Sequence, residues 1–268
     1  MIQMDLSWAE IHWSDPEGGT VLLHGVLPTV VLPRRLWPRV EWHGICLPSS
    51  SDEVEIWEEE EKYELEDPGV NLQSALLGGG ITGIYLDELL EITDLQVGRF
   101  PDPEPRRLHR AAVANDRPVF FAEPDLDDEL WVEHITAEAK EMTKLLRLLS
   151  MIRVGGSWRR KFKRIKLKSQ IPDVPEGQSL QQASALAATW WAMILARSSD
   201  ELNDEKDSRY AARIRGALAE LRKTNGNDAV LMVPIAQAWR SSILEHLQNG
   251  VKPEEVSCLL PSSQGEEE

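Results

Sequence analysis

Histidine and carboxylate side chains are the groups in this 268-residue chain best able to do chemistry, and their spacing narrows what that chemistry can be. None of the six histidines, His12, His24, His43, His109, His134 and His246, forms HExxH or another close pair with metal-ligand spacing. His24 and His43 stand out because each precedes a glycine beside a predicted strand, where a side chain can reach an open site. With Asp125 they are the metal-ligand candidates. The run "DLDDE", 125 to 129, could hold a hard cation through its carboxylates. It reads more simply as the acid-rich first turn of a helix beginning near 127, where the helix dipole favours acids. Gly78, Gly80 and Gly83 satisfy GxGxxG literally, but the preceding "NLQSALL" looks helical. A dinucleotide fingerprint needs a strand there, so a hinge or close helix packing is the plainer reading. Neither GxxxxGK[ST] nor GxSxG occurs, which removes the P-loop and the nucleophile elbow.

A further place of interest is "AVLMVPIAQAW", 229 to 239. Ala229 to Val233 has the continuous apolar character of a buried strand. Pro234, Ile235, Ala236 and Gln237 come next. They offer a proline and a neutral amide where an active strand end usually offers a glycine turn and a reactive group.

The elements that would position these residues alternate. "TVLL", 20 to 23, and "HGICLP", 43 to 48, read as short strands. Ser50 and Glu53 have capping-box spacing ahead of a helix. Residues 70 to 92 look helical at both ends of a glycine cluster. Pro103 and Pro105 open a helix that leads through "NDR" into the strand "PVFFAE". Helical patterns fill 127 to 154 and 179 to 223. Within the latter, Tyr210, Ile214, Leu218 and Leu221 mark one helix face. "AWRSSILEHLQNG" closes at Gly250. Short strands alternating with helices predict an α/β class, a mixed sheet flanked by helices, with helical insertions. One domain is expected over 1–250, with a helical insertion at about 127–203 and a disordered acidic tail at 251–268.

Composition bounds the partners. The net charge of -16 argues against nucleic acid as a general partner. No apolar run approaches a membrane span, and the two distant cysteines, Cys46 and Cys258, give neither zinc spacing nor a disulfide framework, which suits a cytoplasmic setting. The charge is uneven. Residues 158–168, "WRRKFKRIKLK", carry seven cations and no acid, whereas 51–67 hold ten acids and one lysine. Both read as solvated faces that could oppose each other, and 158–168 as a seat for an anionic partner.

Taken in order, two stretches, 106–131 and 204–239, resemble the TraB/PrgY family, relatives of the TIKI proteases, and a third, 21–31, falls where that family has its first strand. They are "VLLHGVLPTVV" (21–31), "RRLHRAAVANDRPVFFAEPDLDDELW" (106–131) and "DEKDSRYAARIRGALAELRKTNGNDAVLMVPIAQAW" (204–239). The resemblance implies a TIKI-like α/β fold and a metal-dependent hydrolase that works through Gly-x-x-His motifs and carboxylates. Here Gly25–Pro28 and Pro234–Gln237 fall in the two Gly-x-x-His slots, so Pro28 and Gln237 stand for the histidines. Glu123 and Asp125 fall in the acidic turn after the strand, and Cys46 near a further acidic position. A neutral amide is a poor transition-metal ligand and proline is none.

The expectation is therefore a catalytically degenerate relative without a cofactor, acting as a binding or regulatory component for a protein or small molecule. Its pocket would lie near Gly25, Glu123 and Gln237, with Arg209 as an anion contact. One alternative is a peptidase-like hydrolase using Mn, Co or Zn with displaced ligands among His24, His43, Glu123 and Asp125. The other is an interaction module built on the 158–168 and 51–67 strips.

Overall fold

The computed structural model describes residues 4–144 and 154–259. Among them, six strands form a mixed sheet in the order β1-β2-β5-β3-β4-β6. These are β1 (Ile11–Ser14), β2 (Thr20–Val26), β3 (Gly44–Leu47), β4 (Val119–Phe121), β5 (Val230–Ala236) and β6 (Ser257–Leu259). β2, β5, β3 and β4 run parallel, with β1 and β6 antiparallel at the edges.

The helices are α1 (Glu53–Glu66), α2 (Val70–Gly78), α3 (Gly80–Leu90), α4 (Pro103–Ala114), α5 (Glu129–Met142), α6 (Val154–Lys166), α7 (Gly177–Leu195), α8 (Asp200–Asn225) and α9 (Arg240–Gln248). Both faces of the sheet are covered, which is why its central strands are mostly apolar, His24 of β2 being the buried polar exception. Side chains alternate between the faces with a period of two. Val21, Leu23, Leu231 and Val233 pack on Tyr210, Ile214 and Leu218 of α8 and on Ile243 of α9. Leu22, Ile45, Phe121 and Met232 pack on Trp57 of α1 and Leu108 of α4. A third apolar cluster joins α3, α6 and α7 to Leu27, Val30 and Leu32, the segment that leaves β2. This helical layer lies at the carboxyl end of the parallel strands.

The α/β class and mixed sheet agree with the sequence. So does the α8 stripe, where Ser199 accepts from Leu202 N at 3.2 Å and Gly226 ends the helix at φ 65°. GxGxxG is a break between two helices, with Gly79 at φ 62° and Gly80 at φ 67°. Four features differ. β5 does not stop at Val233 but runs through Pro234 to Ala236. Its ladder with β3 involves only Leu231 and Met232, so a residue without an N–H is tolerated further along that side. β1 is an additional strand, in a stretch with no strand signal of its own. The Ser50 capping box does not form, because Glu53 N bonds the Ser50 carbonyl instead.

The fourth difference concerns the expected tail, which is held in place through Leu259. Arg215 donates to Val251 O at 2.7 Å, Arg213 donates to Glu255 O at 2.7 Å, and β6 pairs with β4. A Cβ at Gly216 of α8 would lie 1.8 Å from Glu254 O, so the segment rests directly on the helix backbone. Residues 260–268 of that tail, and 145–153 of the helical zone, lie outside the described residues. Among the described residues, no helix is long and apolar enough to cross a membrane.

Candidate functional site

β2 and β5 do lie side by side. His24 pairs with Pro234, Gly25 with Ile235 and Val26 with Ala236, so both strands end at one edge. Open α/β sheets place ligands at this carboxyl edge. What occupies it here is the protein itself. Gln237, 2% exposed, uses both ends of its amide: Nε2 donates to Ser7 O at 2.7 Å, and Oε1 accepts from Ser184 Oγ of α7 at 2.6 Å. Its backbone N–H donates to Val26 O at 3.0 Å, closing β5 onto β2. The remaining cavity, walled by Trp190 and Trp191 of α7, is about 10 Å³, room for at most one water.

Gly25 has a different neighbour. A Cβ there would lie 3.0 Å from the Cζ of Arg240, so the glycine makes room for a guanidinium. Arg240 is 1% exposed and is the first residue of α9, where the helix dipole opposes a cation. Carbonyls hold it: Nη1 donates to Ala9 O at 2.8 Å and Nη2 to Ser7 O, while Nε has no partner among the described residues. Burial pushes its proton affinity down. His24, 3% exposed, also has an Nε2 with no partner among the described residues. Burial first, then Arg107 and Arg240, lower its pKa from 6.5 to about 4, so the ring is neutral at pH 7.

The other candidates are dispersed. His43 Nδ1 accepts from Val230 N at 3.0 Å, at the amino ends of the strands. Val230 is level with Thr20, four residues before His24, which is roughly 13 Å of strand. His24 and His43 therefore do not converge on one ion. Glu123 follows β4, separated from Gln237 at the end of β5 by β3, and from Gly25 on β2 by β3 and β5. Its carboxyl is half-buried, bonded to the Tyr210 hydroxyl, and raised by burial. Asp125 accepts from Ser51 Oγ at 3.1 Å and Ser257 Oγ at 2.7 Å, so it pins β6 rather than facing an open site. Asp128 is the N-cap of α5, accepting from Trp131 N at 2.9 Å, as the first-turn reading of "DLDDE" has it. Arg209 does contact anions, but they are the chain's own: Glu254 Oε1 at 2.8 Å, and Asp128. In the expected pocket joining Gly25, Glu123 and Gln237, β3 thus separates Glu123 from the adjacent β2 and β5, and the Gln237 end is filled.

Sequence reasoning missed a second group at the same edge, on the α4 side of the sheet. The enclosed carboxyl of Asp102 accepts from Thr29 N at 2.6 Å. Burial raises its pKa from 3.8 to about 6. Thr29 sits at φ 58°, a strained conformation for a β-branched residue. Burial, then Glu53, Asp102, Glu61 and Glu64, raise Glu60 to about 7. Beside them is an open cleft of about 740 Å³ bearing Arg99, Arg106, Arg107 and Arg110. Glu61 pairs with Arg106 at 2.8 Å and Arg110 at 2.8 Å, and Glu104 with Arg107 at 2.7 Å. Carboxyls that hold protons near neutrality beside guanidiniums can bind anions or relay protons. The sequence hid Glu60 because the ten acids spread over 51–67 read as a solvated face. The cations that Glu61 meets are the arginines of α4, not those of 158–168.

Among the described residues, no group of three or more His, Cys, Asp or Glu could hold a metal ion. No protein-family model matches this chain, and no curated protein matches it either. The class defined by fold and site is an α/β protein whose parallel-strand edge is closed at β2–β5 and open beside α4.

Proposed function

We propose that this protein is a binding or regulatory component of TraB-like plan whose strand-end position no longer carries hydrolytic chemistry. The observation that carries the reading is the pairing of Gln237 and Arg240. The amide at the second histidine slot is engaged at both ends. The first residue of the other slot, Gly25, lies against a buried guanidinium. A divalent ion placed there would meet a positive charge in a poorly solvated site, an unfavourable arrangement. The open cleft lined by Arg99 and Arg107 is the ligand surface this reading offers, and its guanidiniums favour an anion. Elemental analysis of protein purified without chelator tests the proposal. Sub-stoichiometric metal is expected, and one equivalent of manganese, cobalt or zinc would overturn it in favour of the displaced-ligand hydrolase.

α6 supports a second reading, as a docking element. Arg159, Arg160, Lys163 and Arg164 are exposed on it, while Trp158 is buried against α7. Among the described residues, none of these four cations has a carboxylate partner. A stripe of unpaired cations on an acidic protein fits an anionic partner. Charge reversal at Arg159, Arg160 and Lys161 that leaves partner recovery unchanged would remove this reading.

A further inference from the structure

The open cleft beside α4 is built from two helix faces and a loop. Pro103, Arg106, Arg107 and Arg110 have the i, i+3, i+4, i+7 spacing of one face of α4, and Glu61, Glu64 and Leu65 line the wall that α1 supplies. Seven residues of helix rise about 10 Å, so the guanidiniums of α4 are spread along the cleft. The loop that carries Arg99 is tied down. Val31 N donates to Gln96 O at 2.9 Å, Arg99 N to Thr29 O at 3.1 Å, and Thr29 N to the Asp102 carboxyl. Thr29 thus sets Arg99 at the amino end of α4, with the backbone held and the side chain exposed.

Donors and acceptors divide into committed and free. Arg106 gives Nε and Nη2 to Glu61, and Arg107 gives Nε and Nη2 to Glu104. Both Glu64 oxygens are taken, Oε1 by Gly69 N at 2.7 Å and Oε2 by Asn71 Nδ2 at 3.1 Å. Arg110 uses only Nη2, on Glu61. Its Nε and Nη1, and the whole Arg99 guanidinium, have no partner among the described residues. A carboxylate offers two coplanar oxygens, which one guanidinium satisfies, as Arg106 does for Glu61. A tetrahedral phosphate offers more, and two guanidiniums can donate to it at once. The helix backbone does not replace them, because Pro103 and Pro105 lack the N–H groups that a helix start otherwise presents to an anion. Glu60 and Asp102 stand nearby, and burial raises them to about 7 and about 6, which lessens their repulsion of an anion. Leu65, 85% exposed, and Phe100 give the cleft an apolar lip, and about 740 Å³ is room for more than a bare ion.

We propose that this cleft binds a phosphate group, held by Arg99 at the amino end of α4 and by Arg110 two turns along it, with Arg107 adding its charge between them. The inference rests on the choice of this cleft as the ligand surface and adds the class of ligand. The two fail separately, since stoichiometric metal would overturn the non-hydrolytic reading and leave phosphate binding standing. Isothermal titration of the full chain at pH 7 in phosphate-free, low-salt buffer tests it. Phenyl phosphate is the probe, and inorganic phosphate, benzoate and phenol are the comparison ligands. Saturable one-site binding of phenyl phosphate is expected, about tenfold or more tighter than benzoate. Inorganic phosphate supports the proposal either way: weaker binding marks an organic ester as the ligand, equal binding the free ion. Arg99→Gln/Arg110→Gln, at exposed positions, should weaken binding about tenfold or more and keep the unfolding midpoint, because the Arg106–Glu61 bonds remain. Lys223→Gln/Lys252→Gln removes the same charge at exposed positions outside the cleft and should leave binding unchanged. Absence of saturable binding, equal binding of benzoate or phenol, unchanged binding in the arginine variant, or an equal loss in the lysine variant would overturn the proposal.

Discussion

The carboxyl end of β2 and β5 and the cleft between α8 and α9 both gather polar side chains, and they use them in opposite ways. At the strand end Gln237 is bonded at both ends, Arg240 is held by backbone carbonyls, and the residual space is about 10 Å³. In the helical cleft Asp204 and Glu245 reach solvent, and the space is about 620 Å³. The strand end is the conventional place for chemistry in this class of fold. Here its polar groups hold the N-terminal segment, α7 and the sheet together. A position inherited from the topology is a site only if its polar atoms remain free to meet a ligand.

Substitution at the strand end puts this contrast under the greatest stress. Arg240→Ala has the largest expected effect. It empties a buried volume, leaves the Ala9 carbonyl without its guanidinium donor and takes one of two donors from the Ser7 carbonyl, so urea unfolding should show a loss of about 3 kcal/mol or more. A loss below about 1 kcal/mol would mean that the strand end is not built on the guanidinium.

Acidification comes next. The unfolded chain protonates His24 near 6.5 but the folded chain only near 4, so its contribution is intact above 6.5 and is lost as pH falls toward 4, by about 3 kcal/mol. Asp102 acts in the opposite sense. Its folded pKa is raised from 3.8 to about 6, and its contribution is lost as pH rises through that value. The difference between wild type and His24→Gln across this window isolates the histidine. The variant should have the shallower fall on acidification, and parallel curves would show that His24 is solvated.

Gln237→Leu should cost about 1–3 kcal/mol by removing the acceptor of the buried Ser184 hydroxyl and one of the two donors to the Ser7 carbonyl. Gln237→His, which restores the imidazole of the resembled motif, should still bind no stoichiometric manganese or zinc in equilibrium dialysis, because Arg240 remains beside it. Metal recovery by that single change would make the strand end a dormant site. The smallest effect is expected for Arg159→Glu/Arg160→Glu. These exposed, unpaired cations should change the unfolding free energy by no more than about 0.5 kcal/mol, so any lost association reports on docking.

Much of the fold was legible because it obeys local rules. The apolar runs at Thr20–Leu23 and Val230–Val233 are strands buried on both faces. The 4-4-3 spacing of Tyr210, Ile214, Leu218 and Leu221 is the core stripe of α8, and Gly79 breaks two helices where its left-handed backbone permits it. These patterns depend on the 2.0 and 3.6 periods of the chain, which neighbours in sequence determine. β1 and β6 were not legible, since a four-residue and a three-residue edge strand owe their existence to the strands they join.

The site needed long-range information for a related reason. Local pattern was enough to identify Gln237 and His24 as strand-end residues and Asp128 as part of a helix start. The folded chain alone brought Arg240 against Gly25, Ser184 and Ser7 onto Gln237, and Asp102 onto Thr29. Hydrogen bonds and charges act through space over a few ångströms, while the partners of Gln237 lie 53 and 230 residues away from it in the chain, beyond the reach of any local pattern. Whether a polar side chain is committed or free is therefore a property of packing, and packing decided it here.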